Sequence, residues 1–199
     1  MSTTAHPPPR PDEASSQRRV ERRWIPAIAV VLVMLSLTVG AHAIGARLAG
    51  QRQPLTGMPG VLEVQPAPGW EVAERSDDGA THQLLLRRGT AGLLIVGIEA
   101  YGRGPEDLAH DYAEQVLDQH LAQLRIGGDA GAVMLPSGLE AVRFGYVGVT
   151  ADGVTIEGVV TAVVSPSGTG VVFDGFAPEG DLVSAAGDLS SMIDSAGVT

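Results

Sequence analysis

No charged residue stands between Ile25 and Gly45, and this apolar run constrains the chain more than any other feature. Its 21 residues, at ~1.5 Å rise each, cover roughly the ~30 Å hydrocarbon core of a bilayer, which predicts one transmembrane helix. Trp24 precedes the run, where an amphipathic ring suits the membrane interface. Arg18, Arg19, Arg22 and Arg23 lie just before it, whereas only Arg47 and Arg52 follow closely, so the N-terminus is expected in the cytoplasm. Ala41-His42-Ala43 fits a small-x-small cleavage pattern, and a signal peptide cleaved after Ala43 is the competing reading. The length of the run favours the uncleaved anchor.

The expected organisation is a disordered Arg-rich tail over 1–24, the span over 25–45, a linker over 46–60 without apolar period, and one extracytoplasmic α+β domain over 61–199. From Leu55 onward there are six arginines against twenty carboxylates, a net charge of −14, which opposes binding to nucleic acid or anionic lipid through the domain. Cysteine is absent, which excludes disulfides, thiolate metal sites and thiol nucleophiles; all thirteen basic residues are arginine, which excludes lysine chemistry.

Within the domain, Val61 to Val64 reads as a short strand, and Pro66-Ala67-Pro68-Gly69-Trp70 as a turn that sets an aromatic at the core or its rim. His82 to Arg88 and Leu93 to Tyr101 predict a hairpin. Gly104-Pro105, followed by Glu106 and Asp107, signals a helix start. Leu108, Tyr112, Val116, Leu117, Leu121 and Leu124 continue it at helical spacing, and Gly127-Gly128 is the expected stop. Leu139 to Thr150, Val154 to Val164 and Gly170 to Ala177 read as strands. They are joined by a two-residue turn at Asp152-Gly153 and a second turn at Ser165-Pro166-Ser167-Gly168. Alternation in the middle strand predicts a sheet covered on one face. A helix over about Asp181 to Ser195 ends the chain. The order predicts an antiparallel sheet packed by helices.

The Pro66-to-Trp70 turn after a first strand, the 82–101 hairpin, the helix after Gly104-Pro105, the 139–177 meander and the closing helix together resemble the Mog1/PsbP-like fold, in particular actinobacterial membrane-anchored domains of that type. The resemblance covers Val61 to Val198. It implies an accessory protein that binds partners or stabilises assemblies, and carries over no binding residue.

The residues themselves yield no catalytic signature. Glu106, His110 and Glu114 stand four apart on one helix face and offer a metal-ligand spacing, but an amphipathic helix needs a solvated face there anyway. His120 lies about 280° round the helix from His110 at 100° per residue. Ser137 and Ser167 lack a Gly-x-Ser-x-Gly elbow. Gly168-Thr169-Gly170 has Phe173 where a dinucleotide loop needs its third glycine. Asp77-Asp78 before Gly79 reads as a tight turn. No catalytic, cofactor or metal residue is assigned and no cofactor is expected. The expected function is a membrane-anchored accessory module for a protein partner in the cell envelope, rather than an enzyme. The alternative is a carrier or sensor of a small apolar or glycolipid ligand, for which Trp70 could line a groove.

Overall fold

A computed structural model describes residues 55–58 and 62–198. The expected tail over 1–24, the span over 25–45 and residues 46–54 of the linker lie outside the described residues. Among those described, no helix is long and apolar enough to cross a membrane.

Ten strands and two helices are described. In chain order they are β1 (Leu55–Met58), β2 (Leu62–Val64), β3 (Glu71–Asp77), β4 (Thr81–Arg88), β5 (Ala91–Ile98), helix α1 (105–120), β6 (Ala122–Met134), β7 (Glu140–Val149), β8 (Thr155–Val164), β9 (Gly170–Pro178), α2 (Leu182–Asp194) and β10 (Gly197–Val198). Seven strands form one sheet in the order β3-β4-β5-β9-β8-β7-β6, and β1-β2-β10 form a small second sheet. All pairings are antiparallel.

Both faces of the large sheet are covered over its centre. On one face Leu84, Leu86, Leu93, Ile95, Val171 and Phe173 pack with α2, Trp70 and β2. On the other, Leu94, Val96, Phe144, Val160 and Val172 pack under Leu108, Tyr112, Val116 and Leu117 of α1. Strands β5 and β9 are therefore apolar at nearly every position, as expected of strands buried on two sides. The single covered face expected from β8 alternation is corrected accordingly: Val160, Ala162, Thr161 and Val163 are all buried, on opposite sides. Glycines admit the large rings. A Cβ on Gly158 would stand 2.4 Å from Cζ of Tyr146, and one on Gly92 2.4 Å from Cζ of Phe176.

Three further expectations need correction, and one strand, β3, had no expectation behind it. Leu55–Met58, inside the stretch read as linker, forms a strand paired with β2. Helix α1 stops at His120 and Leu121 is already extended, so Leu124, Gly127 and Gly128 belong to β6 and terminate nothing. β3 went unread because its residues are polar or exposed on both sides. The turn at Asp152-Gly153 spans more than two residues: Thr150 N donates to Val154 O at 2.9 Å and Gly153 N to Thr150 O at 2.9 Å. The same pair of bonds recurs at Leu135–Leu139 and Ser165–Thr169, with Gly138, Gly153 and Gly168 at φ of 82°, 82° and 86°. These positive values favour glycine at each corner of the meander.

Candidate functional site

Of the histidines and carboxylates weighed above, the structure unites few. His110 Nε2 lies 3.1 Å from Glu114 Oε1 on a solvated face of α1, while exposed Glu106 takes no part in that pair. His120 Nδ1 donates to the Val116 carbonyl at 2.7 Å and closes the helix end. His82 sits between Asp77 Oδ2 at 3.2 Å and Glu99 Oε1 at 3.3 Å. Asp77 and Asp78 cap their own turn by accepting from the backbone of Gly79, Ala80 and Thr81. The Gly79 N–H bond, helped by the charge of His82, holds the Asp77 carboxyl below its ordinary value. Ser137 occupies the first meander turn and Ser167 the third, where its Oγ lies 2.6 Å from Ser165 Oγ. Gly168-Thr169-Gly170 leads from that third turn into β9. Among the described residues, no three His, Asp or Glu side chains are arranged to hold a metal ion.

Trp70 is buried, as its Pro-Gly turn predicts, with Nε1 donating to Asp188 Oδ2 at 3.1 Å. Arg88 pairs with the same carboxylate and lies 5.5 Å above the indole centroid, which ties the turn before β3 to α2. A second tie fixes the loop before α1. Tyr101 OH donates to Asp111 Oδ2 at 2.8 Å, Arg103 pairs with that oxygen, and its guanidinium lies 5.0 Å from the Tyr101 ring. Burial raises the Tyr101 phenol to about 12, with Arg103 opposing the rise and Asp107 adding to it.

Deepest of all is Asp174, in mid-β9, which accepts from Tyr112 OH at 2.8 Å and Tyr146 OH at 2.9 Å. Burial lifts its carboxyl from 3.8 to about 6, against the opposing effect of the two phenol hydrogen bonds. Burial first, and then the charge of Asp174, pushes both phenols well above their ordinary range, so each remains a donor. Tyr112 directly precedes the π turn Ala113–Leu117. That turn holds one residue more than an α-turn, and Val116 and Leu117 within it are buried, as is Tyr112 before it. The sequence signal for this cluster was a single carboxylate inside the apolar run Val171 to Phe176.

Two features are left unused by these ties. On β4, the Thr81 hydroxyl and both amide atoms of Gln83 are buried without a hydrogen-bond partner among the described residues, as is Gln115 Oε1 of the π turn. On the α2 side of the sheet, β7 leaves Arg143, Gly145 and Val147 half-exposed, whereas Val142, Phe144 and Tyr146 on its other side are buried.

No family model and no curated protein matches the sequence. Solved structures do match. Cyanobacterial PsbP (CyanoP) from Synechocystis sp. PCC 6803 aligns over 79% of this chain and 98% of its own, with a TM-score of 0.55 at 15% identity. LpqN, described as involved in cell envelope biogenesis of Mycobacterium tuberculosis, aligns over 75% of this chain and 91% of its own, with a TM-score of 0.51 at 16% identity. The fold is Mog1/PsbP-like. The Saccharomyces cerevisiae Ran-binding protein Mog1p also matches, with a TM-score of 0.48 at 11% identity over 74% of this chain and 95% of its own. At these identities the likeness carries the architecture, and no side chain of the Mog1/PsbP-like domain is assigned a role from it.

Proposed function

We propose that the chain is a membrane-anchored extracytoplasmic accessory module that binds a protein partner in the cell envelope, and that it is not an enzyme. The observation carrying this reading is how the charged and aromatic clusters are spent. Asp188 ties Trp70 and Arg88, Asp111 ties Tyr101 and Arg103, and Asp174 ties α1 to the sheet. Each joins one element to another, which is work for a binding scaffold rather than for an acid, base or nucleophile. The apolar run 25–45 with its preceding arginines supports the anchor, and the envelope role printed for LpqN supports the compartment by analogy of fold.

A second reading, a carrier of a small ligand, is favoured by Gln83 and Thr81. Their unpaired polar atoms lie in the layer beside α1, and each costs about 1–3 kcal/mol unless water or a ligand group pairs with it.

Purifying the full chain from its own membranes after mild crosslinking, with bound proteins and lipids identified by mass spectrometry, separates the two. A stoichiometric envelope protein that also recovers this chain when it is itself the bait is the expected result. A stoichiometric lipid with no protein would replace the first reading by the second. The same spectra report the mature N-terminus, and a start at Ile44 would overturn the anchor.

A further inference from the structure

We infer that α1 is an acid-tightened latch: a proton on Asp174 keeps the helix seated on the sheet, and loss of that proton lets α1 lift while the rest of the domain stays folded. The latch is independent of what the domain binds. Among the described residues, Tyr112 to Asp174 is the one hydrogen bond that joins α1 to the sheet, and its acceptor is a buried carboxyl. The other ties of the helix are internal or reach its own preceding loop: His110 to Glu114, His120 to the Val116 carbonyl, and Asp111 to Tyr101 and Arg103.

Asp174 has no counter-charge among the described residues. Pairing registers set it in a row with Leu85, Leu94, Val160 and Phe144, all of them buried. Its polar neighbours are two phenols, Tyr112 from α1 and Tyr146, whose ring lies on Gly158. Ionisable groups on the same face stand off. Glu74 ends the row at the sheet edge, and Glu71 and Arg87 lie in the next row, beyond the Gly92 that Phe176 covers. On α1, Glu106, Asp107, His110, Glu114 and Asp118 are exposed, and Asp111 is engaged by Tyr101 and Arg103. Arg125 of β6, Arg143 of β7 and Glu157 of β8 belong by register to the opposite face.

An ionised Asp174 satisfies both phenols but leaves a buried charge. Burial prevails over those two hydrogen bonds and lifts the carboxyl from 3.8 to about 6. Lifting α1 admits water and returns the group towards 3.8. The proton's contribution to closure is therefore full below about pH 4 and is lost as pH rises to about 6.

Of the two covers over Asp174, α1 is the one free to move. Tyr146 stands in β7, where it pairs with Ile126 of β6 on one side and Gly158 of β8 on the other. α1 satisfies its backbone internally and rests on β7, β8 and β9 through side chains. The core on the other face, with α2, Trp70 and β2, contains no residue of α1, so a lift leaves it closed. The π turn Ala113–Leu117, directly after Tyr112, departs from the regular helix ladder and carries the buried, unpaired Gln115 Oε1, a cost that opening relieves. One proton thus governs access to the apolar layer that Leu108, Tyr112 and Val116 form over Leu94, Val160 and Phe144.

Hydrogen exchange followed by mass spectrometry, on the full chain in detergent micelles, reads the latch. After correction for the intrinsic rate, opening of the 105–120 segment is expected to be about 25-fold more frequent at pH 7.5 than at pH 4.5. At both values it should outrun β5 and β9, which open only with the whole domain. Asp174→Asn should abolish the rise. His110→Gln with His120→Gln removes the helix's own histidines and should keep it. Tyr146→Phe takes away one hydrogen bond that steadies the ionised form, so the pH at which the rise levels off should move up. Exchange of α1 in step with β5 and β9 at both pH values would overturn the latch. So would a rise that persists in Asp174→Asn or vanishes in the histidine variant, or an unmoved levelling point in Tyr146→Phe. Should Asp174→Asn not fold, Tyr146→Phe decides alone.

Discussion

Asp174 is the residue whose chemistry most exceeds what its position in the sequence announces. A carboxylate amid Val171, Val172, Phe173 and Phe176 interrupts the continuous apolar run of a strand buried on both sides, yet only the fold reveals that two phenols from α1 and β7 converge on it. Its carboxyl rises from 3.8 to about 6 in the folded protein, so between those values the native state holds a proton that the unfolded chain has released. Stability from this group is therefore full below about pH 4 and falls as pH rises towards 6, by up to about 3 kcal/mol. Asp77, whose carboxyl is lowered, acts in the opposite sense and loses its contribution as the solution is acidified. Asp174→Asn removes the titration. Urea unfolding at pH 4.5 and 7.5 should find the variant, relative to wild type, better off at the higher pH by about 2 kcal/mol, the rest of the loss falling below pH 4.5. An identical difference at both pH values would show that Asp174 does not titrate in this range. Trp70, by contrast, was fully legible: a Pro-Gly turn aims it inward, and the ring is buried where expected.

At the level of elements, legibility followed periodicity. The β4–β5 hairpin, the three meander strands and both helices carry clean apolar patterns and were found. β3 is an edge strand with polar side chains on both faces, so it offers no period to read. β6 contains Gly127 and Gly128, which mimic a helix stop, and its two register shifts against β7 break any alternation. The buried Asp174 cluster was hardly more legible, because its two phenols come from α1 and β7, far from Asp174 in sequence. Glycine meaning also depends on what stands opposite, which one sequence does not show. Gly158 receives the Tyr146 ring, whereas a Cβ on Gly145, on the other face of the sheet, would meet only backbone oxygens of Gly158 and Gly127 at ordinary contact distance. Gly158→Ala should thus destabilise by about 1–3 kcal/mol through overpacking and disturb the Tyr146–Asp174 hydrogen bond. Gly145→Ala should change stability by less than about 0.5 kcal/mol. Equal melting temperatures for the two variants would contradict the packing drawn from these strands.

For the whole molecule, the decisive boundary lies between membrane and domain. On the proposed anchor, nine residues, 46–54, join the span to β1. Fully extended they reach at most about 30 Å, so the domain would work close to the bilayer surface. β1 belongs to the folded unit: Leu55, Thr56 and Met58 pair with Val64, Glu63 and Leu62, and β2 also pairs with β10 at the chain's other end. The small sheet therefore clasps both ends of the domain, beside α2 and the main core. A fragment starting at Leu55 should fold cooperatively, since one continuous pair of cores is enclosed after that point. Starting at Leu62 removes the β1 hydrogen bonds and leaves β2 with an open edge, at a cost of about 1–3 kcal/mol. Parallel denaturant titrations of the two fragments measure the difference directly. If both unfold at the same midpoint, β1 is part of the tether rather than of the domain, and the reach from the membrane lengthens accordingly.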